Sequence, residues 1–263
     1  EGKAAGDDEF IRFEDVSFSY NRDGSSSSSE SFAGESRMQT LAGIDIKVRR
    51  GGTLGIIGPT GCGKTTLVNL LMRFYDPAEG RILVEGRDIR SLDKDELRRR
   101  FGTVFQNDML FADTFRENIT FGREVSEEDM KKAAAASLAA EFIEKYDEGY
   151  DHRIAARGTD LSGGQRQRVL TARALAGSPD ILILDDASSA LDYKTDALLR
   201  RNIKEQYGNI TCIIIAQRIS SIMDADEILM LDEGRIAARG MHEELLAKSP
   251  AYREIYETQM GDV

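Results

Sequence analysis

Apolar residues recur along this chain in two patterns, alternation typical of strands and wider spacing typical of helices. Alternating apolar positions in residues 10–20 and 40–50 predict two β-strands. From Thr53 an apolar strand, TLGIIG, is followed by a predicted helix from Gly63 to about Phe74. Continuous apolar strands separated by helices are typical of a mostly parallel sheet that is covered on both faces.

The same alternation of strand and helix returns in the second half of the chain. Residues 126–145 predict one helical block, which begins with the capping pattern Ser126 and Asp129 and lies apart from the sheet. The other predicted elements are a hairpin in RILVEGRDIR, a short helix in KDELRRR, a strand in FGTVFQ, a helix over 163–177, a strand in ILILDDA, a helix over about 195–207, a strand in TCIIIAQ, a hairpin in EILMLDEGRIAARG and a C-terminal helix.

Composition and charge narrow the function classes. The chain has 263 residues and a net charge of −11, which argues against a large nucleic-acid interface because phosphate binding needs excess Lys and Arg. Two cysteines, Cys62 and Cys212, are too few for a disulfide framework and favour a reducing compartment. No apolar run approaches the roughly 18–20 residues that span a bilayer. Since the sequence begins at Glu1, we expect it to be a segment of a longer chain.

A glycine-rich segment, GPTGCGKTT, follows the strand that begins at Thr53 and matches G-x-x-x-x-G-K-[ST]. Glycines let backbone N–H groups turn onto phosphate oxygens, and the following helix adds the positive end of its dipole. We expect Lys64 to reach the β- and γ-phosphates, Thr65 to ligate Mg²⁺, and Cys62 to fill space. The predicted nucleotide-binding residues of this segment are Gly58, Pro59, Thr60, Gly61, Cys62, Gly63, Lys64, Thr65 and Thr66.

Two adjacent carboxylates, Asp185 and Asp186, follow the apolar run ILIL. At the end of a buried strand, Asp185 is placed to hold Mg²⁺ through water, as in nucleoside triphosphatases. Kinases, GTPases and motors share a glycine-rich loop and such an aspartate. These two features therefore predict nucleotide binding and leave the type of activity open.

The stretch LSGGQRQR stands directly before a predicted helix, where a hydroxyl and two glycines suit a γ-phosphate. With this stretch the sequence resembles the nucleotide-binding domain of an ATP-binding cassette (ABC) transporter of exporter type, over about residues 10–260. The resemblance implies that the signature reaches across a dimer interface to ATP held by the other subunit. The signature residues are Leu161, Ser162, Gly163, Gly164 and Gln165.

The resemblance assigns roles to further residues. Tyr20 matches the aromatic residue that stacks on adenine, and Gln106 in FGTVFQND matches the glutamine that senses Mg²⁺ and faces the membrane domain. The implied metal-binding set is then Thr65, Gln106 and Asp185. The segment SALD matches the loop that passes between the two ATP sites, with residues Ser189, Ala190, Leu191 and Asp192.

The expected architecture is an α/β P-loop NTPase with a mostly parallel sheet, an N-terminal antiparallel β subdomain and a helical signature-motif subdomain. The predicted boundaries are a linker over 1–9, an ABC ATP-binding domain over 10–263, a core with the β subdomain over 10–105 and 178–263, a helical subdomain over about 106–177, and a flexible loop over 21–39.

Two residues depart from the family pattern at the catalytic positions. Asp186 stands where the family has a glutamate base, and its side chain is shorter by one C–C bond, about 1.5 Å. A general base must come within about 2.6–3.2 Å of the proton it takes, so Asp186 is expected to be a poor base. Gln217 replaces the usual histidine and can donate a hydrogen bond to a γ-phosphate without carrying a proton.

These departures beside an intact loop and signature predict the degenerate-site subunit of a heterodimeric exporter. Its own site would hold ATP, and its signature would complete the partner's hydrolytic site. We expect its transmembrane domain upstream and this domain at the cytoplasmic face of a membrane. Ala156 in IAARG replaces an acidic residue that in exporters faces the membrane domains, which puts that contact in question.

Four other interpretations stay open at this point. They are a homodimeric exporter with slow hydrolysis, an engineered inactive variant, a soluble ABC ATPase of DNA repair or translation, and a nucleotide-binding module without useful turnover. The soluble class carries a long coiled coil or two cassettes in one chain, and the sequence contains neither.

Overall fold

Two β-sheets organise the computed structural model, which describes residues 9–20, 40–187 and 190–261. The predicted loop over 21–39 lies outside these residues, and β1 begins at Glu9, inside the predicted linker. The described strands are β1 (Glu9–Phe18), β2 (Leu41–Arg49), β3 (Thr53–Ile57), β4 (Glu79–Val84), β5 (Arg87–Asp88), β6 (Phe101–Val104), β7 (Ile181–Asp185), β8 (Thr211–Ile215), β9 (Glu227–Asp232) and β10 (Arg235–Gly240).

The strand order confirms the predicted α/β architecture. Over the described part of the chain, one sheet is antiparallel with the order β2-β1-β4-β5, and the other has the order β10-β9-β3-β8-β7-β6. In the second sheet every neighbouring pair from β9 to β6 is parallel, and β10 joins as an antiparallel edge. Because parallel strands share one direction, their carboxyl ends meet at the same edge.

Helices cover both faces of the parallel sheet and build the helical subdomain. Within the described residues they are α1 (Lys64–Leu71), α2 (Lys94–Arg99), α3 (Phe115–Thr120), α4 (Glu127–Ala136), α5 (Ala140–Ile143), α6 (Gly163–Leu175), α7 (Tyr193–Gln206), α8 (His242–Lys248) and α9 (Pro250–Met260). No helix among the residues that the structure describes is long and apolar enough to cross a membrane.

Strand β7 separates two hydrophobic cores. Ile181 and Ile183 pack into a core shared with the antiparallel sheet and α1, whereas Leu182 and Leu184 pack into a core shared with the helical subdomain and α9. Successive side chains of a strand point to opposite faces, so a continuous apolar run serves both cores at once. The run ends at Asp185, which places a carboxylate at the edge of the sheet.

The helical block predicted over 126–145 is two helices. Ser126 caps α4 as predicted, since its Oγ accepts from the Asp129 N–H at 3.0 Å. The helix stops because Ser137 Oγ donates to Ala134 O at 3.1 Å and Leu138 adopts a left-handed φ of 63°. Serine side chains compete in this way for backbone groups.

The single predicted C-terminal helix is also two helices. Proline lacks an N–H and fixes φ, so Pro250 begins a new helix rather than continuing α8. Ser249 caps α9, with its Oγ accepting from the Tyr252 N–H at 3.3 Å. This break lets α9 pack back toward the edge of the parallel sheet.

Candidate functional site

The glycine-rich loop lies between β3 and α1, as its motif predicts. Gly58 and Gly63 have φ angles of 155° and 108°, which favour glycine. A Cβ on Gly58 would lie 2.1 Å from Leu231 O, and one on Gly63 would lie 2.6 Å from Leu41 Cδ2. No larger residue fits these two positions without moving the surrounding backbone or core.

Lys64 and Cys62 support this loop in different ways. The Lys64 ammonium donates to Gly58 O at 2.7 Å and to Pro59 O at 2.9 Å, which holds it at the cleft. Cys62 is buried in the core, and its Sγ fills the space beneath Gly58. Its placement agrees with the space-filling interpretation, because the side chain is buried and its one polar contact within the described part of the chain is the Lys64 ammonium, which donates to Sγ at 3.9 Å.

Asp185 and Thr65 come together at the edge of the sheet. The Thr65 hydroxyl donates to Asp185 Oδ2 at 3.3 Å, and Asp185 is only 7% exposed. Burial raises the pKa of Asp185 above its ordinary value, and the neighbouring Asp186 raises it further, while Thr65 and Lys64 oppose this.

The oxygen donors of this pair fit a magnesium ion. Mg²⁺ prefers hard oxygen ligands and keeps several waters and phosphate oxygens, so a hydroxyl beside one buried carboxylate is a suitable protein contribution. In the described part of the chain, no group of three or more His, Cys, Asp or Glu side chains could hold a metal. A hydroxyl and one carboxylate leave most coordination positions of a magnesium ion to water and phosphate oxygens.

Asp186 and Gln217 are hydrogen-bonded to each other. Gln217 Nε2 donates to Asp186 Oδ2 at 2.5 Å, and the Asp186 main chain is left-handed with φ 54°. The contact arises because Asp185 pairs with Ile215 on the adjacent parallel strand, so the residues that follow β7 and β8 lie side by side. Sequence reasoning assigned both residues to one site without predicting this bond.

Tyr20 extends the site beyond β1. Its hydroxyl lies 3.2 Å from Thr66 Oγ1, and the residue is 44% exposed. The rings of Phe18 and Tyr75 contact it edge to face, with centroids 4.9 Å and 5.2 Å away. These contacts hold Tyr20 beside the loop with surface free for a planar ligand.

A cleft of about 700 Å³ joins these groups. Its lining includes the loop, Gln106, Asp185, Asp186 and Gln217, and so unites most of the predicted nucleotide and metal residues. Sequence reasoning missed Thr40 and Ile255, which also line it, and the supporting Tyr75. Ile255 comes from α9, and neither its spacing nor its residue type signals a site.

The signature residues lie outside this cleft. Ser162 caps α6 and forms a capping box with Gln165, through bonds of 3.1 Å and 2.9 Å. Among the described residues, the lining of the cleft contains none of the five signature residues. A Cβ on Gly163 would lie 3.3 Å from Ala190 Cβ, so the signature packs closely against the predicted dimer loop.

The predicted dimer loop is described only in part. Ser189 lies outside the described residues, and Leu191 is buried. Asp192 caps α7, with Oδ1 accepting from the Thr195 N–H at 2.9 Å. Ala156, at the position of the missing acidic residue, is exposed in a short 3₁₀ turn.

Comparisons with known proteins agree with this geometry. A family profile described as "ABC transporter" matches residues 41–189. The β-(1→2)glucan export ATP-binding/permease protein NdvA of Rhizobium etli is 46% identical over 236 residues, which cover 89% of this chain and 38% of NdvA. The ATM1-type heavy metal exporter of Novosphingobium aromaticivorans is 39% identical over 253 residues, which cover 96% of this chain and 39% of the exporter.

A solved structure shows the same fold. The structure of a bacterial Atm1-family ABC exporter with ATP bound superposes with a TM-score of 0.84 and 38% identity, covering 96% of this chain and 42% of that one. The chain spans about two fifths of the length of the curated relatives it matches.

Proposed function

The chain belongs to the ABC transporter family as the ATP-binding domain of an exporter, and we propose that it powers export by ATP-driven head-to-tail pairing with a second such domain. It is an ABC-type ATPase domain whose ligands are ATP and Mg²⁺. The proposal places it at the cytoplasmic face of a membrane, with a transmembrane domain upstream. The names of the relatives, which include an export ATP-binding/permease protein, support this placement.

The residues that line the cleft have proposed roles in ATP binding. Tyr20 stacks on the adenine, the backbone N–H groups of the loop bind phosphate oxygens, and Lys64 binds the β- and γ-phosphates. Thr65, Asp185 and Gln106 hold Mg²⁺, which when bound neutralises charge on the phosphates. The raised pKa of Asp185 fits this task, because a cation would offset the cost of its buried charge.

We propose further that this chain's own site retains ATP and hydrolyses it slowly. The observation that carries this is the hydrogen bond from Gln217 to Asp186. It occupies one oxygen of a carboxylate that is already short for a general base, and glutamine cannot accept a proton in its place. The second N–H of the Gln217 amide is then available for the γ-phosphate.

The signature is proposed to act on the partner's ATP. Ser162, Gly163 and Gly164 stand at the start of the 13-residue helix α6, away from this chain's own cleft. Backbone N–H groups and the helix dipole at such an end favour a phosphate. A heterodimer would thereby pair this retaining site with a hydrolytic one built from the partner's cleft and this signature.

ATP turnover of defined mixtures tests both proposals. We expect weak hydrolysis by this chain alone and strong hydrolysis after mixing with its cognate partner domain.

The double substitution Asp186→Glu with Gln217→His should raise turnover of the chain alone by about tenfold or more, since a positioned base contributes roughly 10²–10⁴-fold. Lys64→Ala in the same background is the control and should abolish the gain.

Two results would decide against the degenerate site. Strong hydrolysis by the unmodified chain alone would favour a homodimeric exporter. Unchanged turnover in the double variant, with ATP binding intact, would remove the roles assigned to Asp186 and Gln217.

A further inference from the structure

The loop that carries Gln217 is held by a side chain from the last helix. Gln259 Nε2 donates to the main-chain oxygen of Gln217 at 2.7 Å, and Gln259 Oε1 accepts from the Ile219 N–H at 2.8 Å. A primary amide offers both donor and acceptor, so one side chain matches a peptide oxygen and an N–H two residues apart. Strand β8 has already ended at Ile215, which leaves these backbone groups beyond the sheet.

Helix α9 reaches the ATP cleft along one face. Tyr252 is fully buried and its hydroxyl is hydrogen-bonded to His242 Nδ1 at 2.8 Å, which fixes the first turn of the helix. Ile255 lines the cleft, and Gln259 follows it by four residues, so the two side chains project from the same face. The helix is therefore anchored at its start and contacts the nucleotide site toward its end.

We propose that Gln259 is a positioning residue for the γ-phosphate side of the ATP site. It fixes the main chain of residues 217–219, and through it the point at which the Gln217 amide meets Asp186 and the γ-phosphate. This inference rests on the proposed function, in which Gln217 helps to retain ATP. Because ADP lacks the γ-phosphate, loss of Gln259 should weaken the retention of ATP and leave that of ADP unchanged.

Dissociation rates of fluorescent nucleotides test this assignment. The 263-residue chain is loaded, in Mg²⁺, with the N-methylanthraniloyl derivative of ATP or of ADP and chased with unlabelled nucleotide. Gln259→Met keeps the length of the side chain and removes both hydrogen bonds. We expect ATP-derivative dissociation to accelerate by about threefold to tenfold, in line with lost hydrogen bonds, and ADP-derivative dissociation to change less than about twofold.

Two further variants separate positioning from packing. Gln259→Glu keeps an acceptor for the Ile219 N–H but sets a carboxylate against the Gln217 oxygen, so it should accelerate ATP release like Gln259→Met. Thr258→Ala is the matched control on the neighbouring position, since its hydroxyl donates to Glu254 O within the helix at 2.8 Å. It should leave both rates unchanged.

Combining Gln259→Met with Gln217→Ala tests whether Gln259 acts through the Gln217 side chain. The Gln217→Ala variant keeps the main-chain oxygen that Gln259 contacts but has no side-chain amide to be positioned. Adding Gln259→Met to it should therefore change the rate of ATP release by less than about twofold. Equal acceleration of ATP and ADP release by Gln259→Met, or an undiminished effect in Gln217→Ala, would overturn the positioning role. If Gln217→Ala alone accelerates ATP release and Gln259→Met does not, only this inference fails. If Gln217→Ala has no effect, the retention role of the proposed function fails first.

Discussion

At the scale of single residues, the charge of Asp185 is unfavourable to the fold without a ligand. Burial and Asp186 raise its folded-state pKa above the ordinary value, so the folded protein binds its proton more tightly than the unfolded chain does. Stability is therefore lost as pH rises from the ordinary pKa through the folded-state pKa, and the full cost is present above the folded-state pKa.

Asp185→Asn should accordingly stabilise the nucleotide-free protein while weakening Mg²⁺-dependent ATP binding. We expect Tm at pH 7 to rise by about 2 °C, the shift that corresponds to somewhat less than 1 kcal/mol in a chain of this size. Thermal unfolding without nucleotide measures it. Asp180→Asn is the matched control just before the same strand; Asp180 pairs with Arg100 at 2.7 Å, so its loss should lower Tm or leave it unchanged. Equal decreases in both variants would contradict the expectation.

The sequence predicts which candidate residues lie together only where their spacing along the chain fixes the geometry. The loop from Gly58 to Thr66 is contiguous, and Asp185 is the last residue of its strand, so their types and order suffice to bring them to one edge. Ile255 and Tyr75 have no such signal. Both reach the site only through packing of distant segments, which a single sequence does not specify.

At the scale of elements, Ser137 separates α4 from α5. Its hydroxyl is fully buried, donates to Ala134 O and accepts from the Ala139 N–H at 3.4 Å. The surrounding alanines favour helix, so the sequence predicted a helical block over 126–145 without a break at Ser137. The local side-chain bonds outweigh that propensity, and this competition is not visible in a hydrophobic pattern.

Ser137→Ala should therefore destabilise the protein although alanine is the better helix former. Removing the hydroxyl leaves the buried Ala139 N–H without this acceptor, at a cost of about 1–3 kcal/mol. Urea unfolding measures the change in free energy. Ser126→Ala, at the exposed cap of α4, provides the comparison, with an expected loss of roughly 0.5–2 kcal/mol. A Ser137→Ala variant as stable as the parent would show that propensity decides the break.

At the scale of the whole molecule, the ATP cleft draws on segments from both hydrophobic cores. Tyr20 follows a strand of the antiparallel sheet, Lys64 begins α1, Gln217 follows β8 and Ile255 belongs to α9. A ligand that contacts all of them stabilises the fold as a unit. The α/β class and the mostly parallel sheet were predictable because strands and helices alternate so regularly, whereas this convergence depends on tertiary packing.

ATP with Mg²⁺ should consequently raise the unfolding temperature of the whole chain in one transition. At about 100 times its Kd, a ligand stabilises by about 2.7 kcal/mol, which corresponds to roughly 5–10 °C here. Calorimetry with and without ATP and Mg²⁺ measures this shift. Lys64→Ala should abolish most of it, and a shift of equal size in that variant would show that ATP binds outside the cleft.

Strand β7 is fixed in place by both hydrophobic cores at once. Because Ile181 and Ile183 belong to one core and Leu182 and Leu184 to the other, the strand can slip or open only if both cores are disrupted together. Its amide protons should thus exchange with deuterium only through global unfolding. The carboxylate at its end is then held in a fixed position relative to both cores, at the site where the cleft begins.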